Sequence, residues 1–264
     1  MEFTIAAMTM LRGLWRRSVI VRPSGESDTK TAVTWLQGLR ACVDLRQPAT
    51  LRSFAHARSL TELSFDDCAS LATQEGFAGH LHFDGDFFEW SRAIDFQPEA
   101  GDPDAGSLWF QGEVLVEKGR DIAYVEHWHR DTSVPREPVC AYALRERDSN
   151  TRAALVRVGP AFMYARDRAV LPAPHRSLAE CVADAATLNA AQELIDCEIS
   201  LGEVRGDRFQ IVASTLPFRV GDDLAVHAVR DTASIRDRDA RGNYVVRHWE
   251  ITASEGEMNG TGAK

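Results

Sequence analysis

The feature that most constrains the fold of this chain is a series of short β-forming runs that occurs twice along the sequence. Runs of about six to ten residues, rich in Val, Ile, Phe, Trp, Tyr and Thr, are separated by Gly, Pro, Asp or Asn, which is typical of antiparallel β structure. Each half predicts three strands, a helical insertion and four further strands. The predicted strands lie near residues 17–22, 31–37, 41–47, 77–83, 87–96, 107–117 and 121–130, and then near 139–146, 152–158, 161–167, 193–204, 207–215, 224–230 and 243–252.

Helical insertions occur at equivalent places in the two halves. The alternation is lost over residues 51–74, where Ser64 precedes two acidic residues and is suited to cap a short helix. In the second half Ser177 precedes the segment SLAECVADAATLNA, which is built from good helix formers. The last strands also have similar sequences, YVEHW and YVVRHW. We therefore interpret the halves as two related units.

The strand series predicts the architecture. Seven or eight antiparallel strands bury an apolar face most economically when the sheet closes on itself. We therefore predict a mainly β protein of two consecutive antiparallel β-barrels, each with a short helical insertion; one large sandwich is the alternative. The predicted divisions are a flexible N-terminal arm at residues 1–16, an N-terminal barrel at 17–134, a C-terminal barrel at 135–253 and a disordered tail at 254–264.

Charge and cysteine content restrict the partners and the compartment. Thirty Lys and Arg residues against 39 Asp and Glu residues give a net charge of -9, which would repel a nucleic-acid backbone. The five cysteines include no Cys-x-x-Cys pair, so neither a disulfide framework nor a thiolate zinc site is expected. The first apolar stretch precedes its positive charges, opposite to a secretory signal, and no window is long enough to span a bilayer. We therefore expect a cytoplasmic protein with neither nucleic acid nor a membrane as partner.

Several motifs of the first half carry a resemblance to a known family. They are Trp35-Leu-Gln37, Val43-Asp44-Leu-Arg46, Phe77-Ala-Gly-His80, Trp90-Ser-Arg92-Ala-Ile-Asp95-Phe-Gln-Pro98, Asp104-Ala-Gly106 and Tyr124-Val-Glu126-His-Trp128. This set resembles the bacterial relatives of a fungal kinase-interacting family, the HRR-interacting proteins, most densely from residue 31 to residue 130. The resemblance implies two lipocalin-like, calycin-like barrels in one chain and, by analogy, a protein partner. It implies no established biochemical function.

Two His-x-His elements are the first candidates for chemistry. His80 and His82, and likewise His127 and His129, are two residues apart on predicted strands, so each pair shares one face and could present two imidazoles to a metal. The alternative is that alternation places both pairs on the solvated face. No carboxylate or cysteine at ligand spacing supports a metal, so none is predicted. The sequence also lacks a P-loop, a dinucleotide-binding glycine motif, a Gly-x-Ser-x-Gly elbow and His-Glu-x-x-His, and no cofactor is expected.

Charged and aromatic residues within the apolar strands of the first half are the second candidates. The charged set is Asp44, Arg46, Glu89, Arg92, Asp95, Glu126 and Arg130, and the tryptophans are Trp35, Trp90, Trp109 and Trp128. If the strands turn them inward, they form an ionic and aromatic lining suited to a small polar or anionic ligand, with arginine as the anion partner. The alternative is a buried ion-pair network that fixes the register of the barrel. Ligand contacts are predicted for Asp44, Arg46, His80, Trp90, Arg92, Glu126 and Trp128.

Three functional hypotheses follow from these residues. The leading one is an intracellular lipocalin-like protein that binds a small polar, anionic or aromatic molecule in the N-terminal barrel. The second is an isomerase, lyase or hydrolase that uses the same cavity, with Glu126 or His80 as the acid-base group. The third is a protein-interaction module without a small ligand, by analogy with the fungal relatives.

Overall fold

The computed structural model of the protein describes residues 3–99, 101–149 and 151–256. Its structure is mainly β, which confirms the predicted fold class. The helices are short: α1 (Met8–Leu11), α2 (Phe65–Leu71), α3 (Leu178–Ala183) and α4 (Leu188–Ile195), with 3-10 turns at Leu60–Glu62 and Pro217–Arg219. Within the described ranges, no helix has the length and apolar character needed to cross a membrane.

The first half of the chain forms a closed barrel. Its strands are β1 (Phe3–Ile5), β2 (Gly13–Val21), β3 (Ser27–Asp28), β4 (Ala32–Gln37), β5 (Ala41–Gln47), β6 (Glu75–Phe83), β7 (Phe88–Asp95), β8 (Ala105–Gln111), β9 (Val114–Gly119) and β10 (Val125–Arg130). Eight of them pair antiparallel in the order β8-β7-β6-β5-β4-β2-β10-β9, and pairing of β9 with β8 closes the ring. The two short strands are additions: β1 pairs with β8, and β3 pairs with β2.

The second half forms one curled sheet. Its strands are β11 (Val139–Glu146), β12 (Arg152–Val158), β13 (Ala161–Arg166), β14 (Glu198–Arg205), β15 (Arg208–Ser214), β16 (His227–Val229), β17 (Thr232–Arg238) and β18 (Tyr244–Gly256), in the order β15-β14-β13-β12-β11-β18-β17-β16. The irregular segment before β16 links the two sides of this half-barrel. Leu224 N donates to Phe209 O at 3.0 Å, and Leu224 O accepts from Arg236 N at 2.7 Å.

Apart from the short β1 and β3, the halves repeat the same order of elements, with one more main strand than the sequence predicted in each. Three main strands precede the helical insertion and five follow it in both halves. In the first half the predicted run at 107–117 divides into β8 and β9 at a turn where Gly112 has a φ of +64°, a conformation that favours glycine. In the second half β17 was missed because one of its inward positions is the charged Asp237. The predicted second helix divides into α3 and α4.

The expectation of a flexible arm at residues 1–16 is wrong for the described part of that segment. Leu11 is fully buried and Trp15 is 1% exposed, because β2 begins at Gly13 and turns Trp15 into the barrel. Residues 1 and 2 lie outside the described residues. The predicted tail at 254–264 also begins too early. Residues 254–256 continue β18, and Glu255 accepts a hydrogen bond from Arg40 N at 2.9 Å; residues 257–264 lie outside the described residues.

Capping serines begin the two main helical insertions, as predicted. Ser64 accepts from Asp67 N at 3.2 Å, and the Asp67 carboxylate accepts from Ser64 N at 2.9 Å. Ser177 and Glu180 form the same reciprocal pair before α3. Such boxes satisfy backbone N–H groups that have no partner inside the helix, and they explain why short helices form at these two places.

The buried apolar residues form three groups. One fills the first barrel and one the second half-barrel. The third, which we call the shared layer, lies between the halves and receives residues from both together with the helices. Its members include Leu36, Val43, Leu71, Val156, Met163, Ile195 and Ile199. The two curved sheets therefore bury their outer faces against one another, while each encloses an interior of its own.

Candidate functional site

Four tryptophans fill the middle of the first barrel. The ring centroids of Trp35 lie 6.0 Å from those of Trp15, 6.0 Å from Trp90 and 5.6 Å from Trp128. Alternation brings them to one interior because each stands at an inward position of its strand. The N-terminal segment packs against this cluster, and Leu11 O accepts a hydrogen bond from Trp15 Nε1 at 2.6 Å. The aromatic residues thus pack the barrel as a core.

An ionic group lies beside the tryptophans inside the barrel. Arg46 Nε donates to Asp44 at 2.7 Å, and Arg17 Nη1 donates to Glu126 at 2.6 Å. Asp44 and Glu126 are 2% and 1% exposed. Burial raises the pKa of the Asp44 carboxyl, and Arg46 partly offsets this effect. These contacts form a buried ion-pair network, which is the alternative to a ligand-binding lining for these charged residues.

Arg92 stands at the side of this group and is partly exposed. It donates to Asp95 at 2.8 Å and to Asp104 at 2.5 Å, and its guanidinium lies 4.2 Å from the centre of the Phe77 ring. With both carboxylates engaged, Arg92 is committed to contacts within the protein. The structure therefore brings Asp44, Arg46, Trp90, Arg92, Glu126 and Trp128 close to one another.

The interior has almost no free volume. The cavity among these residues measures about 10 Å³ and is lined by Trp35, Asp44, Arg46, Phe77, Trp90, Asp104, Glu117 and Trp128. This is the space of roughly one water molecule. Trp35 Nε1 is buried without a partner among the described residues, and a water in the cavity would accept its hydrogen. A small organic ligand or substrate has no room beside Glu126, because the protein's own side chains fill the space that alternation assigned to a ligand.

The paired histidines lie on the outside of the barrel. His80 is half-buried on the face opposite Leu81, and burial lowers its pKa against the opposing effect of Glu255. Trp128 points inward, so its neighbours point outward, and His129 Nε2 lies 3.0 Å from Ser18 Oγ. His80 is thus not an interior residue. Over the ranges that the structure describes, no three His, Cys, Asp or Glu side chains are arranged to hold a metal ion.

A second cavity, which we call the Trp15 pocket, has a volume of about 400 Å³. It lies where α1, the β8–β9 turn and the end of β10 meet, and its lining residues are Met10, Trp15, Phe110, Gly112, Glu113, His129, Arg130, Thr132 and Arg136. Ligand sites of soluble proteins commonly measure about 300 to 1,000 Å³. This pocket is therefore large enough for a small organic molecule.

Two arginines and two aromatic rings set the chemistry of the Trp15 pocket. The Trp15 and Phe110 ring centroids are 6.2 Å apart, and the Arg130 guanidinium lies 5.7 Å from the centre of the Trp15 ring. Arg130 fits there because position 13 is glycine: a Cβ at Gly13 would meet Arg130 Cδ at 3.1 Å. Among the described residues, neither Arg130 nor Arg136 has a carboxylate partner in an ion pair.

Only two of the residues that line this pocket, Arg130 and His129, were candidates from the sequence. Arg130 belonged to the charged set and His129 to a histidine pair. Met10 was assigned to a flexible arm, and Phe110 to a continuous strand that the structure divides at Gly112. A glycine in the middle of a long β-forming run is the signal that could have revealed the turn.

A second buried ionic group lies inside the second half-barrel and was not predicted. Arg219, 1% exposed, lies 3.0 Å from Glu198, 2.8 Å from Asp222 and 3.3 Å from Asp237. Arg166 lies 3.1 Å from the same Asp237. Burial opposes ionisation of Asp237, yet the surrounding arginines lower its pKa. Both halves therefore combine an aromatic interior with a layer of buried ion pairs.

No protein-family model matches the chain, and no curated protein matches it. Among solved structures, its fold is similar to that of an uncharacterized protein from Saccharomyces cerevisiae. The TM-score is 0.51 at 9% sequence identity, over 92% of this chain and 98% of the yeast chain. This likeness shows the fold alone.

Proposed function

We propose that the first barrel binds a small anionic aromatic molecule, and that it does so in the Trp15 pocket. The observation that carries the proposal is the convergence of two guanidinium groups without carboxylate partners on two aromatic rings, in a cavity of about 400 Å³. The class of ligand is the one that the sequence predicted for this barrel. Its place differs, because the interior near Glu126 is full.

Arg130 and Arg136 differ in their partners from the arginines of the buried ion pairs. The chain carries a net charge of -9, and carboxylates hold most of the buried arginines at short distances, as at Arg17, Arg166 and Arg219. A guanidinium that no carboxylate engages keeps its planar fork of N–H donors free for a carboxylate, sulfonate or phosphate. Arg130 and Arg136 are therefore the anion-binding groups of the proposal.

The apolar side of the pocket favours a ring. Met10 and Phe110 line the pocket and are partly buried, and Phe110 packs against the aromatic core of the barrel. A flat ligand placed against Phe110 gains apolar contact and a favourable ring arrangement, while its charged end reaches Arg130. Glu113, at the rim, offers an acceptor for a hydroxyl or amine of the ligand.

Binding of two probes, 1-anilinonaphthalene-8-sulfonate and indole-3-acetate, is expected to depend on the pocket arginines. Titration calorimetry of Arg130→Gln and Arg136→Gln should give dissociation constants about tenfold or more above that of the native protein, the loss expected for one charge-assisted hydrogen bond. Arg205→Gln is the matched control because Arg205 is an exposed arginine of the second half. Equal affinities in all variants, or no binding to the native protein, would contradict the proposal.

The proposed setting is the cytoplasm. All five cysteines are free and buried, an arrangement that a reducing compartment maintains. We also propose a distant relationship to the fungal HRR-interacting proteins, on the motifs between residues 31 and 130 named above.

A further inference from the structure

Two buried glutamates face one another across neighbouring strands of the first barrel. Glu117 on β9 and Glu126 on β10 are direct partners in the register, and they are 4% and 1% exposed. Two ionised carboxylates at such positions repel strongly away from water. We propose that Glu117 and Glu126 share one proton at neutral pH, with Glu117 as the neutral acid and Glu126 as the carboxylate.

The contacts of Glu126 identify it as the charged member. Arg17 Nη1 donates to its Oε1 at 2.6 Å, and the Arg17 side chain is itself 5% exposed. Arg46 is a second cation near it. An ionised carboxylate in a buried site needs such a partner, and protonation of Glu126 would leave Arg17 with only Asp28, at 3.5 Å, as its counter-ion.

Glu117 has no cation within salt-bridge distance among the described residues, and its two hydrogen-bond donors are neutral side chains. Tyr124 Oη donates to Oε1 at 2.7 Å and Trp128 Nε1 donates to Oε2 at 3.0 Å, so both partners are uncharged. Burial raises the pKa of Glu117 well above its usual range, and the negative charges of Glu126 and Asp104 add to the effect. A proton at Glu117 therefore stabilises the site.

Glu126 also supplies the acceptor that this proton requires. Its Oε2 is buried and has no hydrogen-bond partner among the described residues, although it belongs to a carboxylate. A buried carboxylate oxygen without a donor is costly, and the facing Glu117 hydroxyl would be that donor. Other ionisable groups that influence the pair are Arg17 on β2, Asp28 on β3, Asp44 and Arg46 on β5, Asp104 before β8 and Tyr124 before β10.

Infrared difference spectroscopy of the whole chain tests the shared proton. At neutral pH, the native spectrum minus that of Glu117→Gln should contain the carbonyl stretch of one protonated carboxylic acid. The same band should disappear in Glu126→Gln, because Arg17 then keeps only the more distant Asp28 as a counter-ion and favours ionisation of Glu117. Glu203→Gln, at an exposed site of the second half, should keep the band.

Two spectroscopic results would contradict the shared proton. Absence of a difference between the native protein and Glu117→Gln would show that no proton is held. A band that persists in Glu126→Gln would show that burial alone keeps Glu117 neutral, which also overturns sharing. If a variant fails to fold, carbon-13 NMR of labelled glutamate carboxyls in the native protein replaces it. Both carboxyl signals should then respond to each titration step of the pair, and steps that each move only one signal would contradict the proposal.

Discussion

Replacing Arg219 with methionine is expected to lower the free energy of unfolding by about 3–5 kcal/mol, the usual cost of removing one member of a buried ion pair. The arginine lies within 3.3 Å of three carboxylates, on Glu198, Asp222 and Asp237. Methionine fills a similar volume but supplies no charge and no hydrogen bond. The carboxylate of Glu198, fully buried, would lose its only cation within salt-bridge distance among the described residues.

Urea denaturation followed by tryptophan fluorescence measures this effect. The matched control is Arg205→Met, because Arg205 pairs with Glu203 on the surface and the exposed fraction of its side chain is 68%. An exposed pair of this kind contributes at most about 1 kcal/mol. Equal stability of the two variants would show that the ionic group in the second half-barrel does not hold that half together.

Replacing Glu117 with glutamine is expected to flatten the dependence of stability on pH. The folded-state pKa of Glu117 lies above its ordinary value of 4.5, since burial and Glu126 both disfavour the charged form. Above that ordinary value the unfolded chain has lost the proton while the folded protein keeps it. The stabilisation is therefore complete below the unfolded pKa and declines as pH rises toward the folded pKa, by about 1.4 kcal/mol per pH unit.

The measurement is the urea midpoint of the native protein and of Glu117→Gln between about pH 5 and about pH 8. In this range the free energy of unfolding should fall more steeply with pH for the native protein, because its unfolding releases nearly one proton more than that of the variant. Glutamine accepts from only one of Tyr124 and Trp128, which adds a pH-independent cost of about 1 kcal/mol. Glu203→Gln should follow the native curve, since that carboxylate is exposed and lies in the second half. Parallel curves for the native protein and Glu117→Gln would contradict a raised pKa.

Alternation along the strands predicted the β class, the repeat and the direction of the main interior residues. It places Trp35, Trp90, Glu126 and Trp128 inside, where the structure has them. The same rule could have placed His80 outside, opposite Leu81. Besides the short β1 and β3, two main strands were not predicted, for different reasons. Gly112 interrupts an apparently continuous run, and β17 turns the charged Asp237 inward.

The amount of space inside the barrel could not be predicted in the same way. A residue pattern indicates which side chains share an interior, but the remaining volume depends on strand tilt and on packing between strands distant in sequence. The Trp15 pocket illustrates this limit. Met10, Phe110 and Arg136 belong to three separate segments, and only the closed ring and the N-terminal segment bring them together.

The shared layer has a consequence for how the polypeptide can be divided. Residues such as Val43 and Ile199 are buried in this layer, which receives side chains from both halves. A fragment that ends at β10, or one that starts at β11, would expose a large apolar surface to solvent and would tend to aggregate. We therefore expect that neither half is stable as a separate protein.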